Sequence, residues 1–208
     1  MFTIIKDYRR EIIIEKSRFI CTLKKVASEE EAQDFIKAMK KEYWDATHNC
    51  SAYIIDDLAQ RSSDDGEPSG TAGLPMLEVL RKNKLIGTAA VVTRYFGGIK
   101  LGAGGLVRAY NGSVAEAIKE CGLAKRVLMS YFSFTCDVNS AGKMLNVLYQ
   151  QQDYPVADVE YGLRAKIILV MKDEAKPEAE AWLTNRFNKK IELELEFSEY
   201  VEVPVDQL

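Results

Sequence analysis

Apolar and polar positions alternate between Glu11 and Val26, with Ile12, Ile14, Phe19 and Cys21 in the apolar set, which predicts a strand. The period then changes. Ser28 followed three residues on by Glu31 matches a capping box, and Ala32, Phe35, Ile36, Met39 and Tyr43 recur at helical spacing behind it. Ser51 to Ile55 is a short β-rich run ending at Asp56-Asp57. Residues 59–71, AQRSSDDGEPSGT, hold almost no large apolar side chain and predict an exposed loop. Leu74 to Leu80 reads as a short helix, with Pro75 tolerated in its first turn. Ile86 to Phe96 contains the unbroken run Thr88 to Thr93, the pattern of a strand buried on both faces. A glycine-dense turn, Gly97 to Gly105, leads into a helix from Leu106 to Cys121. Leu106, Tyr110, Val114, Ala117 and Cys121 share its inner stripe, and Gly122 is a natural stop.

The second half has its own rhythm. Val127 to Val138 predicts a strand with Leu128, Phe132, Phe134 and Cys136 on one side. Ala141 to Gln151 predicts a helix with Ala141, Met144, Leu145 and Leu148 inside. Strands follow near Val156 to Tyr161 and Leu163 to Met171, then a helix from Pro177 to Phe187. A last strand, Ile191 to Val203, alternates Ile191, Leu193, Leu195 and Phe197 against Glu192, Glu194 and Glu196. Its acidic face is expected to pair with Arg164 and Lys166. This β-α-β-β-α-β order is the ferredoxin-like arrangement. The expected fold class is therefore α+β, in two domains, residues 1–124 and 127–208, divided near Leu123 to Arg126.

Composition narrows the function classes. Hydrophobic residues make 47% of the 208 and charged residues 28%, which is globular rather than disordered. No apolar run approaches the ~20 residues of a membrane span. Met1 to Arg10 has no apolar signal region, so a cytoplasmic protein is expected. The net charge of -3 gives no global pull toward nucleic acid or membrane. Cys21, Cys50, Cys121 and Cys136 are scattered and predict reduced, buried thiols. With His48 the single histidine, no metal site and no cofactor are expected.

Two segments stand out chemically. The loop Asp64-Asp65-Gly66-Glu67-Pro68-Ser69-Gly70-Thr71 gathers three carboxylates, two hydroxyls and two glycines. Such a loop either orders itself to bind a cation, a basic peptide or a partner's backbone, or is a solvated turn of turn-forming residues. It lacks the ligand spacing of an EF-hand. The second segment runs from Arg94 to Arg108. Gly97, Gly98, Gly102, Gly104 and Gly105 fall where a buried strand meets a helix, so free amides and the helix start would attract an anion. Arg94, Lys100 and Arg108 add positive charge, and Tyr95 or Phe96 could stack on a base. The alternative is that the glycines permit tight packing and no more. Neither nucleotide motif fits: Ala103-Gly104 stands where a P-loop needs Lys and Ser/Thr, and Val107 where the dinucleotide fingerprint needs glycine. His48, two residues from Cys50, is either a polar-site residue or a strand-edge histidine, and no third group completes a nucleophilic triad.

The strings Ser63-Asp64-Asp65-Gly66-Glu67-Pro68-Ser69-Gly70-Thr71-Ala72-Gly73, Val92-Thr93-Arg94-Tyr95-Phe96-Gly97-Gly98-Ile99-Lys100-Leu101-Gly102 and Gly104-Gly105-Leu106-Val107-Arg108-Ala109-Tyr110 resemble the Impact family, in its bacterial YigZ-like branch. Lys16-Ser17-Arg18-Phe19-Ile20 and His48-Asn49-Cys50-Ser51-Ala52-Tyr53 extend the likeness. The resemblance implies an N-terminal domain like the second domain of ribosomal protein S5. It implies a C-terminal ferredoxin-like domain similar to the last domain of elongation factor G. Eukaryotic members are translational regulators, which implies a non-enzymatic, translation-linked binding protein whose partners are RNA, the ribosome or translation factors. The competing expectation is a magnesium-dependent phosphoryl-transfer or hydrolytic enzyme, with the acidic loop holding the ion against a phosphate on the glycine turn.

Overall fold

The computed structural model describes residues 1–205. They divide into two compact units, Met1–Arg126 with the chain from Glu202 onward, and Val127–Val201. In the first unit β1 (Phe2–Ile4), β2 (Tyr8–Ile14), β3 (Ser17–Lys25), α1 (Glu29–Glu42), β4 (His48–Ile54), β5 (Gln60–Ser63), α2 (Gly73–Lys82), β6 (Thr88–Tyr95) and α3 (Gly102–Cys121) follow in order. Five of these strands form an antiparallel sheet in the order β2-β3-β6-β4-β5. β1 pairs instead with the first residues of β7 (Leu123–Cys136).

The central strand explains its own sequence. β6 is buried from Thr88 through Arg94. Ala90 and Val92 enter a core with Leu80, Tyr110 and Val114 of α2 and α3, while Ala89 and Val91 meet Ala32, Phe35 and Met39 of α1. Helices thus cover both faces, and a strand there must be apolar at every position. α1 begins as expected: the Ser28 hydroxyl accepts the Glu31 amide at 3.2 Å. Glu31 returns by accepting the amide of Ala27, one residue before the cap, at 2.8 Å.

In the first unit three expectations change. The segment from Glu11 to Val26 is not one strand; the chain reverses at Glu15 and Lys16, both at positive φ, so that Ile14 pairs with Ser17. A two-residue turn with both positions left-handed suits the twist of a hairpin. Residues 59–71 are not simply an exposed loop. Gln60–Ser63 form an edge strand on β4, and Glu67 and Thr71 are buried. α3 starts at Gly102, four residues before Leu106, so Gly104 and Gly105 belong to the helix.

The second unit continues β7 and adds α4 (Val138–Leu148), β8 (Val156–Tyr161), β9 (Ala165–Met171), a 3-10 turn (Asp173–Ala175), α5 (Lys176–Phe187) and β10 (Glu194–Pro204) as far as Val201. β9 lies between β7 and β8, and β10 pairs with β7. Phe132, Phe134, Leu148, Ile167, Leu169 and Leu183 are among its core residues. Leu128 departs from the expected buried side and is half exposed. Leu195 and Phe197 are exposed too, because the last segment enters the core only through Ile191 and Leu193, before β10 begins. Lys166 does meet the acidic strand, at 2.8 Å from Glu196, whereas Arg164 donates to the Thr135 carbonyl. Among the described residues no helix is long and apolar enough to cross a membrane.

Candidate functional site

The end of β6 places a charge where apolar residues stand before it. Cys21, Val92 and Cys50 are cross-strand partners in the core. Two residues further along, Phe19, Arg94 and His48 take the same relation on the same face. Arg94 therefore projects into the layer between sheet and α3, at 5% exposure. A guanidinium there requires a partner. Glu67 supplies it: its Oε1 accepts from Arg94 at 2.6 Å and from the Tyr110 hydroxyl at 2.7 Å. Phe19 and Phe96 flank the guanidinium, with ring centroids 5.4 and 5.5 Å from its carbon.

The acidic loop is folded around its own carboxylates. Asp64 accepts the amides of Gly70, Ala72 and Gly73 at 2.8–3.1 Å, and so satisfies the start of α2, where Ala72 has no capping side chain. Burial alone would raise the Asp64 carboxyl. The three amide donors outweigh it and hold the group below its ordinary value. Asp65 accepts the Asn49 amide at 2.6 Å and pairs with Lys40, and its carbonyl lies 2.8 Å from His48 Nδ1. His48 Nε2 in turn stands 3.7 Å from Glu67. The Thr71 hydroxyl donates to the Pro68 carbonyl, and Ser69 is exposed. All three carboxylates are thus occupied by donors. Among the described residues no three metal-ligating side chains cluster. Cys50 is pushed up to about 12 by burial, and Tyr110 is raised for the same reason, with Cys50 and Glu67 adding to it. A protonated, buried thiol is no nucleophile.

Beside this network opens a cavity of about 370 Å³, lined by Thr47, His48, Glu67, Arg94, Phe96, Lys100 and the first residues of α3. The first amides of any helix have no intrahelical partner, and no side chain caps those of α3. Arg94 Nε is buried without a hydrogen-bond partner.

The expected anion cluster is only partly assembled. Lys100 and Gly102 line the cavity. Arg94 lies at its wall but is not the open phosphate receptor expected, because Glu67 already neutralises it. Tyr95 is on the other face of the sheet, where its hydroxyl donates to Asp45 and Arg18 covers its ring. Gly97 serves packing: its amide donates to the Ser17 hydroxyl, and a Cβ would come 2.1 Å from the Lys16 backbone. Gly98 turns at positive φ in the open. Arg108 lies on α3 beside Gly104 and outside the cavity lining. Ser17, Thr47, Phe19 and Tyr110 were not expected at the site. Tyr110 carries the one legible signal, since a polar-tipped ring on an apolar helix stripe needs a buried partner.

The family pattern described as the Impact N-terminal domain matches residues 15–118, the segment that builds this cavity. The IMPACT family member YvyE of Bacillus subtilis (strain 168) is 45% identical over 209 residues, covering 100% of this chain and 96% of that protein. The IMPACT family member YigZ of Escherichia coli (strain K12) is 38% identical over 152 residues, 66% of this chain and 74% of that one. A solved structure described as a hypothetical protein superposes with a TM-score of 0.59 at 30% identity, over 92% of this chain and 95% of its own.

Proposed function

Since the chain belongs to the Impact family, we propose that it is a cytoplasmic, translation-linked binding protein whose cavity at the start of α3 takes a phosphate group of RNA. The family likeness supports the link to translation, through its eukaryotic regulators. It also supports reading residues 1–124 as a domain like the second domain of ribosomal protein S5, and 127–208 as a ferredoxin-like one. One observation carries the choice of ligand. The uncapped start of α3 and the cationic residue Lys100 line a single cavity, with Arg94 in its wall. Phe96, 47% exposed, offers the outer face of its ring to a base while its inner face rests on Arg94. The acidic loop acts as scaffold: Glu67, itself part of the cavity lining, neutralises Arg94 and holds it in place.

The test is binding of single-stranded RNA by the full chain, followed by fluorescence anisotropy across salt concentrations. Affinity should fall as salt rises, and Lys100→Ala should lower the logarithmic slope by about one counterion. Phe96→Ala should weaken binding at every salt concentration. A slope of zero, or unchanged binding by both variants, overturns the reading.

A further inference from the structure

We infer that the second unit carries a separate binding site for a small amphipathic anion, an apolar chain or ring bearing one acidic head group. A concave cavity of about 510 Å³ opens between the end of β7, the side of α4 and the segment from Arg186 to Glu194. That volume falls within the usual range for small-molecule sites. Its lining is mixed: Phe134, Met144 and Ile191, all nearly buried, form an apolar part with Phe187, next to Ser133, Thr135 and Ser140.

The rim carries charge in a definite balance. Lys143 projects from α4. Arg186 and Lys189 flank the end of α5, where Asn188 at φ 50° turns the chain and the Lys189 amide returns to the Thr184 carbonyl at 3.3 Å. Four cations and three carboxylates line the cavity. Lys190 is taken by Glu192. That leaves Lys143, Arg186 and Lys189 against Asp137 and Glu194, and none of these five has a side-chain hydrogen bond or ion pair among the described residues. The surplus is positive. An apolar part beside a cationic rim fits a ligand whose body leaves water while its acid stays at the mouth. A neutral apolar molecule would leave the surplus positive charge unused, and an amine would add to it.

The experiment uses the full chain and 1-anilinonaphthalene-8-sulfonate, an aromatic anion whose fluorescence rises out of water. Decanoate should displace it, while decanol and decylamine should need concentrations about tenfold higher or more. The triple variant Lys143→Ala, Arg186→Ala, Lys189→Ala should raise the decanoate requirement about tenfold, as expected for loss of charge-assisted contacts. Val147→Trp should fill the cavity and abolish displacement. Hydrogen exchange of the unmutated chain gives a check that needs no variant: decanoate should slow exchange in α4 and in the segment 186–194. Equal displacement by the acid, alcohol and amine overturns the proposal. So does failure of the dye to bind, or exchange protection elsewhere with none in these two segments.

Discussion

Replacing Glu67 by leucine tests the network at its centre. The substitution keeps an aliphatic side chain of similar size but removes the acceptor of both the Arg94 guanidinium and the Tyr110 hydroxyl. Both partners stay buried, Arg94 at 5% exposure and Tyr110 at 0%. Stranding the charge should cost about 3–5 kcal/mol, the usual penalty for removing one member of a buried pair. Tyr110 keeps its contact with the Cys50 thiol at 3.3 Å, so its share is smaller. Removing Arg94 as well, in Glu67→Leu with Arg94→Met, leaves no charge behind. Most of the loss should then return, so that the double variant sits within about 1–3 kcal/mol of the parent, the cost of the remaining unsatisfied hydroxyl. Because the chain has two units, one unfolding midpoint would mix them. Urea titration read by hydrogen exchange separates them: peptides of β6 should lose protection early in the single variant and regain it in the double. Peptides of β9 should not move. A single variant less than about 1 kcal/mol weaker than the parent, or a double weaker than the single, would refute the account of a dry, mutually dependent pair.

Other outcomes follow from neighbouring geometry. Gly97→Ala should unfold or severely destabilise the first unit, since the new Cβ meets the Lys16 backbone at 2.1 Å. Gly112→Ala, in α3 with nothing within 4 Å, should raise stability by about 0.5–1 kcal/mol; thermal melts of the pair decide it. Asp64→Asn should weaken the protein at neutral pH but not in acid. The Asp64 carboxyl is held below its ordinary 3.8, so its contribution is complete above that pH and lost as pH falls through the lower folded value; urea midpoints of both proteins across pH should converge there. Cys21 and Cys50 should resist alkylation by iodoacetamide at pH 8 until denaturant is added, because burial raises both thiols; mass spectrometry of native protein modified at either position would contradict this.

How much of this was legible in the sequence varies with the source of each constraint. The start of α1 was, because Ser28 and Glu31 make their own local bonds. β6 was, because a strand covered on both faces shows as an unbroken apolar run. The hairpin at Glu15 and Lys16 was not, since the usual glycine or asparagine is missing and the surrounding pairing imposes the left-handed turn. The first turn of α3 was hidden by glycines of low helix propensity, which packing overrides. At the site, residue types signalled polarity but not depth. Glu67 lies in a stretch with the composition of a solvated loop, and only the fold reveals that it reaches Arg94, which lies 27 positions away.

The contact between Gly97 and the reversal at Glu15-Lys16 has a consequence for how such chains can diverge. Two connections distant in sequence press against each other with no side chain between them, like interlocked links. An extra residue in one would drive its backbone into the other, so the two can change length only in concert. Insertions should therefore collect elsewhere among natural relatives, and a graft meant to alter the cavity's rim should leave both lengths untouched.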